Sequence, residues 1–145
     1  MQSLPHHYRV ETSTRPNGLL DNRSDEGAVL QSAPPVPFGG PGGQWSPEHL
    51  LTAAVSGCFI LTFKAIASAS NLGWQELACQ VEGTLDKVER KMQFTGFKIR
   101  ARLIIEDDSS RAQAVTALQK AEANCLVSNS LNCPIHLHTE IHISP

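Results

Sequence analysis

The 145-residue sequence has no excess of charge of either sign: twelve lysines and arginines face fourteen aspartates and glutamates, for a net charge of -2. A basic surface of the kind that nucleic acid or an anionic membrane requires is therefore not expected. The opening "MQSLPHHYRV" lacks the basic start and apolar stretch of a secretory signal. No apolar run of transmembrane length stands out either. The expected address is a reducing cytoplasm, where disulfides are usually transient and catalytic. The four cysteines, at 58, 79, 125 and 133, have no C-x-x-C spacing, which removes the thioredoxin-like and zinc-ribbon readings. Internal repeats and low-complexity tracts are missing too, and the length suits one compact domain over residues 1–145.

What is present begins with alternation over residues 8–14, followed by the turn chemistry of Arg15, Pro16, Asn17 and Gly18. This predicts an opening hairpin. Residues 33–43 hold four prolines and four glycines and predict a loop. Ser46 then offers an N-cap oxygen, Pro47 suits the first helical position, and Glu48 places negative charge at the favourable end of the dipole. The apolar set Leu50, Leu51, Ala54, Cys58, Leu61 and Ala65 recurs at steps of three and four, predicting a helix toward Ala69 that Asn71 and Gly73 end. Its many small residues lead us to expect a central, buried helix.

Two strands are predicted over residues 77–85 and 92–106, paired antiparallel through a charged turn near Lys87 to Lys91. Asp108 or Ser109 could cap a second helix with Ala112, Val115, Leu118 and Ala121 on one side, reaching about Asn124. Residues 135–143 alternate and predict a closing strand. The order argues for an α+β domain with helices packed on antiparallel sheet.

Among the cysteines, Cys79 lies on the apolar side of its strand and reads as a small buried hydrophobe, and Cys133, just before Pro134, as a turn residue. Cys58 is different. Inside a buried helix, desolvation should raise its pKa, and the helix dipole has faded about three turns from the N-terminus. A reactive Cys58 therefore requires a cation from elsewhere in the fold. Lowering its pKa by about 2 units takes roughly 2.7 kcal/mol, within reach of one arginine. Arg9, Arg15 and Arg23 are all candidates. Near the C-terminus, His136, His138, Glu140 and His142 alternate with Leu137, Ile141 and Ile143, the pattern of the polar face of an amphipathic strand; a metal site is the rival reading.

The segment "SPEHLLTAAVSGCF", Ser46 to Phe59, resembles the central-helix signature of the OsmC/Ohr family, and "ANCLVSNSL" around Cys125 resembles its second cysteine element. The likeness runs from about Phe38 to Ile143. Two positions depart from it: Ser46 replaces the usual asparagine and retains a capping oxygen, and Leu126 stands where proline often follows the second cysteine. The resemblance implies an OsmC-like α+β fold in which antiparallel sheets pack around a long central helix in an intertwined homodimer. It also implies a thiol peroxidase without metal or flavin. Cys58 would attack an organic hydroperoxide and become a sulfenic acid, Cys125 would condense with it into a disulfide, and a dithiol, such as a lipoyl group on a carrier protein, would reduce the pair.

The family also uses a glutamate and an arginine beside the first cysteine. Glu48 matches within the motif, and Arg15 aligns best for the arginine, with Arg23 in reserve. Phe59 and Phe63 on the helix and Phe38 and Trp45 on the approaching loop would supply an apolar pocket that favours organic peroxides over hydrogen peroxide. Glu48 lies ten residues before Cys58, roughly 15 Å along a helix, so it would serve a Cys58 of another chain. The rival readings are a noncatalytic OsmC-like protein that binds an apolar ligand and a metal-binding module built on the histidine-rich strand.

Overall fold

A computed structural model describes all residues, Met1–Pro145. The chain divides into two compact units, Met1–Leu50 and Leu51–Pro145.

The first unit is a three-stranded antiparallel meander of β1 (Val10–Ser13), β2 (Leu20–Ser24) and β3 (Val29–Ser32). The opening hairpin is thus present, and a second one follows it. Asn22 ties the three strands together. Its Oδ1 accepts from Thr12 Oγ1 at 2.9 Å, and its Nδ2 donates to the Leu30 carbonyl at 3.0 Å and to Ser32 Oγ at 2.9 Å. Val10, Val29 and Leu30 remain exposed. The Pro/Gly segment is a loop, as expected, interrupted by a single 3-10 turn at Val36–Phe38. Gly40 is obligatory in it, because a Cβ there would lie 1.7 Å from the Pro34 carbonyl oxygen.

The long helix α1 (Pro47–Ala69) starts where the capping signals place it. Ser46 is fully buried, and its Oγ accepts from the His49 amide at 3.0 Å while sitting 2.6 Å from His49 Nδ1. This is a serine N-cap whose hydroxyl is held in turn by the His49 ring. The helix ends at Asn71, in the left-handed region at φ 53°. The Asn71 amide donates to the Ser68 carbonyl at 3.3 Å and the Leu72 amide to the Ala67 carbonyl at 2.9 Å, a Schellman closure.

In the second unit α1 buries Val55, Phe59, Phe63 and Ala67, spaced four apart. The expected apolar stripe through Ala54, Cys58 and Leu61 is therefore rotated from the real one, and the helix is buried along one face only. Leu61 is 66% exposed. A second correction concerns composition: α1 has a mean hydropathy of 1.9 over an 18-residue window and is long and apolar enough to cross a membrane. Its alanines and hydroxyl residues hide that average when read singly. Here its buried face packs in a protein core.

That core rests on β4 (Glu76–Val88), β5 (Lys91–Ile105) and β6 (Ile135–Ile143), in the order β4-β5-β6. β4 and β5 form the expected hairpin, turned by Glu89 and Arg90 at φ 50° and 73°. Phe97, Ile99, Ala101, Leu103 and Ile105 alternate inward from β5 and are buried. They meet α1 and α2 (Arg111–Ala123), which contributes Ala114, Ala117, Leu118 and Ala121. Neither Asp108 nor Ser109 caps α2: both lie in a 3-10 turn, Asp108–Ser110, that Asp107 caps through the Ser109 amide at 2.9 Å, and the N-cap position of α2 falls to Ser110, whose side chain makes no capping bond. β6 runs parallel to β5, where an antiparallel partner was expected. The crossover through α2 explains this, since a strand returning after a helix on one face enters in the same direction. His136, His138, Glu140 and His142 are exposed along β6, as the alternation predicts.

Candidate functional site

Cys58 sits on α1 one residue before the buried Phe59, which leaves its side chain at the edge of the packed face and half-buried. One turn later, Thr62 Oγ1 donates to the Cys58 carbonyl at 2.7 Å and lies 4.0 Å from Cys58 Sγ. Cys125 follows the C-terminus of α2 and is fully buried. Its extended backbone, at φ -69° and ψ 109°, makes it the N-cap of a one-turn helix, α3 (Leu126–Asn129), closed by the Asn129 amide on the Cys125 carbonyl at 2.9 Å. Ser128, in that turn, donates its hydroxyl to Cys125 Sγ at 3.3 Å.

The second unit therefore brings Cys58 and Cys125 side chain to side chain, from elements far apart in sequence. The amides of Val127 and Leu126 also face the Cys58 sulfur. These are first-turn amides with no carbonyl of an earlier turn to accept from them. Burial pushes the Cys58 thiol up, but the Val127 amide, the Cys125 thiol, the Thr62 hydroxyl and the Leu126 amide outweigh it, so Cys58 lies below the ordinary thiol range. The cation that sequence reasoning demanded is not what lowers it within this unit; neutral donors suffice. Cys125 is held above the ordinary range by burial, with the neighbouring Cys58 adding to the effect against the bonds from Ser128. The pair is thus polarised, one thiol acidic and one not. Such divergence marks complementary roles.

The other cysteines read as expected. Cys79 is half-buried against the core, and burial pushes its thiol up to about 11. Cys133 lies in the bend before β6.

The first unit holds the remaining predicted residues. Arg15 is exposed in the turn after β1, where its carbonyl accepts from the Gly18 amide at 2.9 Å. Arg23 is exposed on β2, opposite Glu11 on β1 and Val29 on β3. Glu48 occupies the first turn of α1, half-buried, with Oε1 shielded from solvent. Phe38 and Trp45 are about half exposed, and a cleft of about 400 Å³ lies within this unit between Pro34, Val36, Trp45 and His49. Phe59 and Phe63, by contrast, are fully buried in the core and cannot line a substrate pocket. Their period-four spacing with Val55 and Ala67 was the missed signal.

Thr62, Ser128 and the two α3 amides went unnoticed in the sequence. Thr62 was within reach of the helical i, i+4 rule. Ser128 stands three residues after Cys125, the N-cap to N3 offset, but a four-residue helix leaves no periodicity to point there.

The description "OsmC-like protein" belongs to a family model that matches residues 40–140. An uncharacterized protein of Bacillus subtilis, YmaD, is 22% identical over 142 residues, covering 95% of both chains. An OsmC-like protein of unknown function from Vibrio cholerae superposes with a TM-score of 0.82 at 19% identity, covering 95% of this chain and 100% of that one. An organic hydroperoxide resistance protein OsmC from Legionella pneumophila gives 0.75 at 20% identity, covering 97% and 100%. One from Elizabethkingia anophelis, named an organic hydroperoxide resistance protein, gives 0.76 at 17%, covering 99% and 100%. At these identities the superpositions speak for the fold, and the matched family model, which spans most of the chain, places this protein in the OsmC family.

Proposed function

We propose that this protein is a cytoplasmic, cysteine-based reductase of organic hydroperoxides, acting as one OsmC-like domain over residues 1–145 in a homodimer. The observation that carries the reading is the polarised pair: a thiol made acidic by neutral donors lies against a second thiol kept protonated by burial. The Cys58 thiolate attacks the peroxide, the O–O bond breaks, and the alcohol leaves. Cys58 becomes a sulfenic acid. Cys125 then displaces its hydroxyl as water and closes the disulfide before further peroxide can produce sulfinic acid. A dithiol, as on a lipoylated protein, returns both thiols, and the scheme uses no cofactor.

Arg15 and Glu48 complete the site in this reading. Arg15 adds charge to the donors already at Cys58, and Glu48 orients it. Preference for organic peroxides rests on Leu126, whose amide faces Cys58 and whose side chain is 70% exposed.

The test is mass analysis of reduced protein after one equivalent of cumene hydroperoxide. A loss of two hydrogens mapped to Cys58 and Cys125 is expected; unchanged thiols would refute the peroxidase.

A further inference from the structure

Ser128 is a polar residue only 6% exposed, and its hydroxyl donates to a sulfur, Cys125 Sγ, at 3.3 Å. That contact has a direction. A thiol has one hydrogen to give, and a sulfur that receives a hydrogen from Ser128 keeps its own for another neighbour. The other neighbour is Cys58. We infer that Ser128 is a positioning residue for the resolving thiol, aiming the Cys125 S–H at Cys58 and then stabilising the thiolate charge left on Cys125 as its proton departs ahead of the attack. The inference rests on the mechanism proposed above.

In that step a bond forms between the Cys125 and Cys58 sulfurs while the S–O bond of the sulfenic acid breaks. The electron pair of the S–O bond leaves with the oxygen, which takes the Cys125 proton and departs as water. That proton leaves Cys125 ahead of S–S bond formation, so thiolate charge develops on a fully buried sulfur, where water cannot solvate it. A hydroxyl already pointed at that atom helps without reorganisation. The peroxide-cleaving step occurs at Cys58, which keeps the Val127 and Leu126 amides and the Thr62 hydroxyl whatever Ser128 does, so the loss of Ser128 should slow that step by no more than about twofold.

The experiment compares reduced wild type with Ser128→Ala in two arms, each quenched over time and read by mass. The first arm uses cumene hydroperoxide; the second uses glutathione disulfide, which forms a mixed disulfide on Cys58 that Cys125 resolves, releasing glutathione. Ser128→Ala should consume the first equivalent of peroxide within about twofold of the wild-type rate yet close its disulfide about tenfold more slowly in both arms, the effect of one lost hydrogen bond to a charged group. Excess peroxide should drive Cys58 of this variant to sulfinic acid. Should Ser128→Ala not fold, the isosteric pair Ser128→Thr and Ser128→Val asks the same question, with Thr expected to resolve about tenfold faster.

Equal resolution with and without the hydroxyl overturns the inference. So does equal slowing of peroxide cleavage and resolution, which would mark a merely structural serine. If wild type ignores peroxide but closes the disulfide with glutathione disulfide, the peroxidase reading fails and the second arm alone decides for or against Ser128. If wild type forms no disulfide in either arm, both fail.

Discussion

The first-turn amides of α3 have no acceptor in their own helix, and Cys58 supplies one from another element. Leu126 matters here because proline, which often follows the second cysteine in similar proteins, has no N–H to offer. Leu126→Pro should be tolerated by the backbone: it is the first helical position, and Cys125 before it already has the extended conformation that a following proline requires. It should nevertheless remove one donor from the Cys58 thiolate. Alkylation by iodoacetamide follows the thiolate, so in wild type it should fall as pH drops through the lowered pKa of Cys58 and level off above it. In Leu126→Pro that midpoint should move up by about one unit, slowing alkylation near pH 6 by about tenfold. An unmoved midpoint would mean the amide is not a donor of consequence. Arg15→Met should raise the same midpoint and Arg23→Met should not; the reverse result would overturn the N-terminal alignment. Cys79 provides the opposite sign. Its folded pKa is raised to about 11, so the unfolded chain releases this proton first as pH rises. Stability from this group is full below the ordinary thiol value and declines as pH climbs toward 11. Urea melts of wild type and Cys79→Ala between about pH 8 and 10.5 should show a shallower decline in the variant.

At the scale of elements, the hairpin of β4 and β5 depends on two local backbone solutions. Glu89 and Arg90 both take positive φ, the two-residue turn that matches strand twist but suits Asn-Gly better. Arg90→Gly should therefore raise stability by about 0.5–1 kcal/mol in urea melts, an unstrained fit at a site that L residues rarely adopt. Farther along, a Cβ on Gly83 would lie 2.6 Å from Phe97 Cε1, in a ring that stacks on Phe94 with centroids 5.1 Å apart. Gly83→Ala should cost about 1–3 kcal/mol by overpacking the buried Phe97. No loss of stability would mean that the ring shifts freely. The strands and the start of α1 were legible because their signals are local: Ser46 and Pro47 mark the start of α1, and alternation marks β4, β5 and β6. The face of α1 was not, because apolar and small residues surround that helix and only tertiary packing selects Val55, Phe59, Phe63 and Ala67. The direction of β6 was not, since alternation looks the same in either direction. Cys58 and Cys125 could be singled out by likeness to a family, but their meeting depends on α2 and α3, and α3 is too short to leave a pattern.

For the whole molecule, the residues that remain uncovered argue for a second chain. Ala54, Gly57, Leu61, Ala65 and Ser68 form an exposed stripe of α1 at steps of three and four, and Val10, Val29 and Leu30 are bare on the meander. Small side chains let two backbones approach closely, and a twofold axis would bring the stripe against its own copy. Leu61→Glu should then shift the protein from dimer to monomer in light scattering and remove peroxidase activity; an active monomer would refute an obligatory dimer. Glu48 makes the stricter test. Ten residues of helix separate it from Cys58, about 15 Å of rise and nearly 80° of rotation, more than a glutamate side chain spans. If Glu48 orients the arginine at a Cys58, that cysteine belongs to the partner. Chains carrying Cys58→Ser and Glu48→Ala, each inactive or severely impaired alone, should in a mixed dimer recover about half of wild-type activity, because one of the two sites joins an intact Cys58 to an intact Glu48 from the other chain. Recovery requires the mixed dimer itself, so differently tagged chains should be coexpressed and purified through both tags. A mixed dimer that forms and shows no recovery would confine Glu48 to its own chain or remove it from catalysis, and the shared site with it.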